Sequence, residues 1–355
     1  KISKNLQINL INSIGYKNNI GFGRIIDHLQ LGLNLYFELR KFEGKHPDKV
    51  FIGYPPIEFA FIAARWCKKN KIPFIVDIKD LWPEMYLEYT PKFLKKFVGF
   101  ILYPYFYMGT WICKNASSIS SITKDYLNWV YKFAKIKPKE KDFVFPLTTI
   151  NNSIQTNENE KINWIENIIS NSNKNTRIIL FAGSFIEGIN IEPLIYAAQK
   201  ASKEEKNWIF ILCGDGPRWK NVKEKIGYLK NTYMPGWVNP EKLKYLSQIP
   251  TIGVVLFKDI PNFSLSISNK TYQYLALGIP IFSSVNGTLK NFIRKYNIGV
   301  NFQSSNTKSL FICIDKYFND KKLFKKQSRN AIDIFTKMFD GKTGYKKAII
   351  KKKNI

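Results

Sequence analysis

A helix start that carries a lysine leads directly into a predicted buried strand at residues 268–284. Ser268 is expected to be the N-cap of this helix, so the unpaired N–H groups after it and the positive end of the helix dipole would attract an anion. Lys270 would add a full positive charge, and Gly278 would end the helix. This combination predicts a phosphate site. An ordinary helix-turn-strand unit of an α/β domain has the same pattern. Other segments must therefore distinguish a phosphate site from a purely structural unit.

Short glycine-containing turns follow three predicted strands in the same half of the chain, at 181–185, 213–217 and 235–238. Small residues there would let backbone N–H groups approach a phosphate. Such turns are usually only turns, but they would line one crevice if their strands end at the same edge of a parallel sheet. The candidate binding residues of this half are Gly183, Ser184, Gly214, Gly236, Trp237, Val238, Ser268, Asn269, Lys270 and Gln273.

A second polar set lies in the first half of the chain, around a predicted strand at 73–78. Its members are Tyr54, Pro55, Asp77, Lys79, Asp80 and Glu84. Because the carboxyl ends of parallel strands line the ligand crevice of an open α/β sheet, these residues are predicted to lie at the mouth of a cleft. The alternative interpretation is structural: Asp80 caps the following helix, and Glu84 belongs to its first turn.

The elements that must position these residues alternate as strand and helix along a chain of 355 residues, long enough for two domains. Strands are predicted at 6–14, 50–53, 73–78 and 117–122, and then at 177–182, 208–213, 232–234, 252–255 and 279–283. This rhythm predicts an α/β fold with two Rossmann-like, doubly wound parallel-sheet domains that face a cleft. We expect an N-terminal domain at 1–150, a linker at 151–175, a second domain at 176–320, and C-terminal helices with a basic tail at 321–355.

The net charge of +28 would attract phosphorylated substrates, anionic lipid or nucleic acid. The lysines are scattered and no nucleic-acid-binding signature accompanies them, so a membrane face is favoured and nucleic acid is not expected as a partner. The four cysteines are too widely spaced to suggest a metal cluster or a disulfide framework, which predicts no metal site and a reducing compartment. His28 and His46 are interpreted as structural or surface residues.

An uncharged, aromatic run at 97–113 is flanked by lysines on both sides. Three interpretations are open: an interfacial helix, a core helix of the first domain, or a membrane span at the lower limit of length. The aromatic and lysine content favours an interface or the core over a span.

Taken in chain order, the motifs resemble those of glycosyltransferase family 4 in the GT-B superfamily, particularly bacterial enzymes that build O-antigen, capsule or related surface glycans. The segments that carry the resemblance are 47–48, 54–56, 77–84, 116–123, 183–184, 214–217, 236–238 and 269–280. Individually these motifs are weak, but together they span most of the chain.

The resemblance implies transfer of a sugar from a nucleotide-sugar donor to a glycan acceptor, with retention of configuration and without a required metal or other cofactor. By match, residues 236–238 would border the nucleobase, Gly183 and Ser184 the phosphates, and Asn269 and Lys270 the diphosphate. Residues 77–84 would face the acceptor, and Lys270 and Asp80 are the candidate catalytic residues. A lipid-linked acceptor is expected, which implies a cytoplasmic enzyme attached peripherally to the inner membrane face.

The chain departs from the family pattern at two positions where acids are common, Leu265 and Gln273. Gln273 can still hydrogen-bond a ribose hydroxyl, but it supplies no charge. The family's first strand and glycine-rich loop are expected to precede residue 1. Two alternatives to the enzyme are a catalytically inactive GT-B relative that serves as a binding partner and, with less support, a binder of nucleic acid or anionic surfaces.

Overall fold

The computed structural model describes residues 6–16, 21–42, 44, 46–149, 163–170 and 172–341. The chain divides into two compact units, of which the first ends at Pro146 and the second begins at Leu147. Each unit is built on its own sheet.

The first unit has a four-stranded sheet in the order β1-β2-β3-β4, with every pair parallel. Its strands are β1 (Val50–Tyr54), β2 (Phe74–Ile78), β3 (Ser118–Ser121) and β4 (Phe143–Val144). Its helices are α1 (Phe22–Arg40), α2 (Ile57–Lys69), α3 (Glu84–Glu88), α4 (Lys95–Ile101), α5 (Tyr103–Asn115) and α6 (Lys124–Ala134), with a 3-10 turn at Lys92–Leu94. Strand β2 is buried along its whole length, as expected for a parallel sheet covered by helices.

The second unit has a six-stranded parallel sheet in the order β10-β9-β8-β5-β6-β7. Its strands are β5 (Arg177–Ala182), β6 (Trp208–Cys213), β7 (Thr232–Gly236), β8 (Thr251–Val255), β9 (Ile281–Ser283) and β10 (Gly299–Asn301). Its helices are α7 (Asn163–Ser170), α8 (Glu192–Lys203), α9 (Trp219–Ile226), α10 (Pro261–Ser264), α11 (Asn269–Ala276), α12 (Thr288–Tyr296), α13 (Ser309–Phe318) and α14 (Lys321–Ile334), with a 3-10 helix at Pro240–Gln248 and a π-helix at Phe335–Phe339.

The core of the second unit lies on both faces of this sheet. Along β5, Ile178 and Leu180 pack into one apolar cluster, while Ile179 and Phe181 pack into the other. A strand that is buried on both faces has apolar side chains at nearly every position. Its sequence is therefore an almost continuous apolar run. The chain leaves β5 toward β6 on one side and later returns beside it as β8, so the order of the strands reverses at β5. Ligands of open α/β sheets bind at such a switch point.

The prediction of an α/β fold with two parallel-sheet, Rossmann-like domains is confirmed. The strand predicted at 6–14 is wrong, because residues 7–14 have no regular secondary structure and Leu10 is 90% exposed. Strand β10 was not predicted, since a run of three half-buried residues carries little pattern. The expected linker and basic tail lie partly outside the described residues, although the linker region includes α7, whose Ile165 and Ile168 are buried in the core of the second unit.

The aromatic run at 97–113 forms two separate helices, α4 and the longer α5. Helix α5 buries Gly109, Ile112 and Cys113, while many aromatic side chains of the run are exposed. Among the residues that the structure describes, no helix is both long enough and apolar enough to cross a membrane.

Candidate functional site

A cavity of about 190 Å³ opens at the carboxyl edge of the second sheet, beside the switch point. Its wall brings together six of the residues predicted from sequence, Gly183, Ser184, Gly214, Trp237, Val238 and Gln273. The turns after β5, β6 and β7 and the helix α11 all contribute to it, because the carboxyl ends of parallel strands share one edge.

The glycine turns around the cavity are held together by backbone hydrogen bonds. The Gly183 N–H donates to the Cys213 carbonyl (2.9 Å), and the Gly214 N–H donates to the Gly236 carbonyl (2.7 Å). A Cβ on Gly214 would lie 2.0 Å from the Gly183 carbonyl oxygen, and the Gly214 φ of +132° also disfavours other residues. Glycine is therefore required there so that two turns can approach each other closely.

The side chain of Lys270 is buried against this turn. Its Nζ lies 4.3 Å from the ring centroid of Phe181 and 4.9 Å from that of Phe257. A Cβ on Gly183 would lie 2.7 Å from the same Nζ, so glycine leaves the space that the ammonium occupies. No carboxylate in the described parts of the chain forms an ion pair with it. The lysine is thus flanked by aromatic rings in place of a counter-ion.

Burial lowers the pKa of Lys270 from 10.5 to about 7. Desolvation is the cause, because the charged form loses its hydration and gains no carboxylate. Burial therefore favours the neutral amine in the empty site, and the full charge expected at residue 270 stays a prediction.

The start of helix α11 offers further donors to an anion. The N–H groups of Asn269 and Lys270, the first two of the helix, and that of Ser184 donate to no acceptor among the described residues. Ser268 occupies the predicted N-cap position, but its side chain contacts the Thr271 hydroxyl (3.2 Å) instead of a backbone N–H. The prediction of Ser268 as the N-cap residue is confirmed, and its side chain makes no capping hydrogen bond.

Tyr274 ties α11 to the end of β5. Its hydroxyl accepts a hydrogen bond from the Ala182 N–H (2.9 Å) and donates to the Leu180 carbonyl (3.3 Å). The ring fits because Gly253 on β8 has no side chain, since a Cβ there would lie 2.4 Å from it. Tyr274 therefore fixes the distance between the first turn of α11, which carries Lys270, and the glycine turn at Gly183.

Sequence reasoning missed several residues of the site. Asp215 and Leu243 line the cavity, and Phe257 flanks Lys270. Asp215 lies inside the glycine turn at 213–217, so the sequence pattern could have indicated it as a site residue. No sequence pattern indicates Leu243 or Phe257, because only the folded chain brings them to this edge.

The candidate residues of the first unit lie at the carboxyl edge of its own sheet, but two of them are internal. Tyr54 is fully buried, and its hydroxyl donates to the Trp82 carbonyl (2.7 Å). Asp77 is buried on β2, where its carboxylate accepts a hydrogen bond from Ser120 and pairs with Lys79 at 2.8 Å. These contacts correct the expectation that the side chains of Tyr54 and Asp77 face a ligand.

The other candidates of the first unit have mixed positions. Lys79 is one-third exposed and also lies 5.3 Å from the ring of Phe145. Asp80 is half-buried just after β2, and Pro55 follows β1. Glu84 opens α3 and accepts a hydrogen bond from the Trp129 indole N–H (2.6 Å). The structure brings Asp77 and Lys79 together, and it ties Glu84 to α6.

The described residues include no group of three or more His, Cys, Asp and Glu side chains that could hold a metal ion. Burial raises the pKa of the thiols of Cys67, Cys113 and Cys213 to about 11 or 12, which makes them poor nucleophiles. His28 is buried, with its Nδ1 3.6 Å from a Glu58 carboxylate oxygen.

Comparison with known proteins gives a family match in the second half of the chain. Residues 163–333 match the family described as "Glycosyl transferases group 1". No sequence among curated proteins matches the chain.

Three solved structures illustrate the similarity of fold. Sucrose-phosphate synthase from Thermosynechococcus elongatus is 12% identical, with a TM-score of 0.70 over 92% of this chain and 78% of that chain. Anabaena HepE, in complex with UDP and glucose, is 12% identical, with a TM-score of 0.66 over 92% and 82%. WaaG, a glycosyltransferase involved in lipopolysaccharide biosynthesis, is 12% identical, with a TM-score of 0.59 over 91% and 95%.

At this level of identity the solved structures establish the fold alone, and the family match covers the region that lines the cavity. The chain therefore has the GT-B fold of two Rossmann-like domains, and its residues 163–333 match the glycosyltransferase group 1 family.

Proposed function

We propose that the protein transfers a sugar from a nucleotide-sugar donor to a glycan acceptor, and that the cavity of the second unit binds the nucleoside diphosphate of the donor. The observation that carries this proposal is Lys270, a buried lysine that lies without a carboxylate partner in the described structure, against a glycine turn that lines the cavity. A site of this kind is complementary to an anion. The family match over residues 163–333 and the UDP complexes of Anabaena HepE support a nucleotide as that anion.

The chemistry follows from the charge that develops when the donor breaks down. As the glycosidic bond of the donor lengthens, negative charge builds on the departing diphosphate oxygens. The Lys270 ammonium and the N–H groups of Ser184, Asn269 and Lys270 would stabilise that charge at fixed positions. This arrangement requires neither a metal ion nor a general base on the protein, and we propose that the reaction proceeds with retention and without a cofactor.

The acceptor side is proposed to be a lipid-linked glycan at the inner membrane face, as in the synthesis of cell-surface polysaccharide. The supporting observation is an aromatic surface on α4, α5 and the turn before them, made of Phe93, Phe97, Phe100, Ile101, Tyr103 and Tyr107. These side chains are between 55% and 82% exposed, and Lys92, Lys95 and Lys96 lie among them. Exposed apolar patches of this kind mark interaction sites, and each lysine near an anionic bilayer adds about 1 kcal/mol of attraction.

The donor proposal is tested with a panel of nucleoside diphosphates. Thermal unfolding is measured with UDP, GDP, ADP and CDP at pH 7.0, since a ligand at 100 times its dissociation constant stabilises the folded state by about 2.7 kcal/mol. We expect one of the four nucleoside diphosphates to raise the unfolding midpoint. Sugars linked to that same nucleotide should be turned over in the presence of acceptor, with release of the nucleoside diphosphate. A panel in which no nucleotide shifts the midpoint contradicts the proposal.

The membrane proposal is tested by sedimentation with vesicles of phosphatidylcholine, with and without phosphatidylglycerol. The double variant Phe97→Ser, Phe100→Ser is expected to lose most of the bound fraction on the anionic vesicles. Tyr228→Ser is the matched control, because Tyr228 is also strongly exposed (72%) but lies in the second unit. Equal binding of both variants to the anionic vesicles contradicts a role for the aromatic surface.

A catalytically inactive nucleotide-binding relative is the second candidate. It is favoured by Gln273, which lines the cavity where the family resemblance leads us to expect an acid. The same panel separates the two: tight binding of a nucleotide together with no donor turnover on any tested acceptor supports the inactive relative.

A further inference from the structure

We infer that nucleoside diphosphate binding is coupled to the uptake of one proton by Lys270, so that donor affinity falls as the pH rises above neutrality. This inference rests on the proposed function, because it concerns the same cavity.

The geometry around the amine is the first argument. Lys270 is 8% exposed, and its Nζ is enclosed by the rings of Phe181 and Phe257 and by the backbone at Gly183. The face of an aromatic ring attracts an ammonium, but by less than the ammonium loses in hydration on burial. The surrounding groups therefore leave space for the amine but favour its neutral form over the ammonium.

The charged groups on the neighbouring segments are the second argument. After β5, Glu187 lies near Arg218 (3.7 Å) and Lys258 (3.9 Å). After β8, Asp259 accepts a hydrogen bond from Asn286. Asp215, after β6, accepts one from its neighbour Gly216.

Helix α11 has no charged side chain other than Lys270, and on another of its faces it packs through Tyr272 against Phe339 of the π-helix. None of these acids lies within ion-pair distance of Lys270, in contrast to Lys79. The part of the chain that the structure describes therefore leaves the countercharge of Lys270 to a ligand.

The third argument is the proton balance. Burial lowers the pKa of Lys270 to about 7, so the amine of the empty site is about half neutral at that pH. A bound diphosphate places at least two negative charges near the nitrogen, which favours the ammonium and raises its pKa. The proton comes from the buffer, the amine lone pair accepts it, and no other bond changes.

The size of the effect follows from that balance. Because burial lowers the pKa of Lys270 to about 7, binding takes up part of a proton at pH 7.5 and about one at pH 9. Between pH 7.5 and 9 the dissociation constant rises by a factor approaching ten for each pH unit. Phosphate groups with a second pKa near 6 are already fully ionised in this range, so the ligand does not contribute to the change.

The test is calorimetry with UDP, or with the nucleoside diphosphate that the panel selects, at pH 7.5 in phosphate, HEPES and Tris. These buffers differ in ionisation enthalpy, so the slope of the observed enthalpy against that quantity gives the number of protons taken up. We expect a clearly positive slope of up to one for the native protein. In parallel, quenching of Trp237, which lines the cavity and is 74% exposed, gives the dissociation constant from pH 7.5 to 9.

The control variant is Lys270→Arg, because a guanidinium keeps its charge throughout this range. Its binding is expected to show a slope near zero and a dissociation constant that does not change with pH. A slope near zero in the native protein, with binding intact, overturns the inference but leaves the proposed function standing. A slope that persists in Lys270→Arg assigns the proton to another group and also overturns it. Failure of the native protein to bind any nucleotide rejects the proposed function, and this inference with it.

Discussion

Lys270 of the second unit and Lys79 of the first both lie near the carboxyl edge of a parallel sheet, yet they differ in their partners. Lys79 pairs with Asp77 at 2.8 Å and remains one-third exposed. Lys270 is buried among aromatic rings, and the described residues give it no carboxylate. The same residue type in the same kind of fold thus has its charge balanced by the protein in one unit and not in the other.

This difference distinguishes a lysine whose charge is paired within the protein from a lysine whose charge is available to a ligand. Asp77 is buried with Ser120 and Lys79 as partners, so the pair satisfies itself. Burial of Lys270 costs free energy that no carboxylate among the described residues offsets, which is the property expected of a ligand site.

Lys270→Met should give the largest effect. Without the ammonium, we expect nucleoside diphosphate affinity to fall at least about 30-fold, because truncating one partner of a buried charge pair costs 2 to 5 kcal/mol or more. The empty variant should nevertheless be more stable than the native protein at pH 6.5, by a few kcal/mol, since burial no longer opposes a charge.

The sign of its pH dependence follows from the lowered pKa. Below pH 7 both folded and unfolded native protein hold the proton, so the full burial penalty is present. Between pH 7 and 10.5 the unfolded state binds more protons than the folded state, and the native protein gains stability as the pH rises. Urea unfolding at pH 6.5 and pH 9 should show the advantage of Lys270→Met shrinking; an advantage that stays constant contradicts the burial of a charge at this position.

Gly183→Ala should damage the same edge through geometry. Its Cβ would meet the Lys270 Nζ at 2.7 Å, and the φ of +152° strains any residue other than glycine. We expect about 1 to 3 kcal/mol of lost stability and a loss of nucleotide binding as the lysine is displaced. Gly53→Ala is the matched control in the first unit, because nothing lies within 4 Å of its Cβ and its φ is ordinary. Similar losses in both variants would count against a specific role of the Gly183 turn.

Lys79→Met should have the opposite stability sign to Lys270→Met. It leaves the buried Asp77 carboxylate with Ser120 alone, and we expect a loss of about 1 to 3 kcal/mol, less than for a fully buried pair because Lys79 is partly exposed. Nucleotide affinity should not change. Lys200→Met, which breaks an exposed pair with Glu204, is the control and should change stability little in the same denaturant titration. If Lys79→Met is as stable as the native protein, the contrast between the two lysines fails.

Tyr274→Phe should weaken nucleotide binding less than Lys270→Met or Gly183→Ala does. It removes the hydroxyl that accepts from the Ala182 N–H, which leaves a buried donor without a partner at a cost of about 1 to 3 kcal/mol. We also expect the nucleotide dissociation constant to rise a few-fold, because α11 is less firmly tied to β5. Tyr272→Phe on the same helix is the control, since the hydroxyl of this buried tyrosine has no hydrogen bond among the described residues. A nucleotide dissociation constant that is unchanged in Tyr274→Phe contradicts the positioning role.

Much of the second unit was predictable from sequence alone. Strands β5 and β6 were predicted at their observed bounds, because strands buried on both faces are continuous apolar runs. The glycine turns after them were predictable for a similar reason: parallel strands end at one edge, so Gly183 and Gly214 had to be neighbours once the sheet was assigned. The strand predicted at 6–14 shows the limit, since an apolar alternation forms a strand only where a neighbouring strand pairs with it.

What the sequence by itself determined is the set of elements and the edge at which they converge, because periodicity, glycine and parallel pairing are local or nearly local properties. What only the tertiary structure decided is what surrounds Lys270 and the Asp77–Lys79 pair. Phe257 reaches Lys270 from the segment after β8, and Ser120 reaches Asp77 from the neighbouring strand β3. Solvation and electrostatics depend on what surrounds an atom in three dimensions, and the spacing of residues along the chain does not specify that.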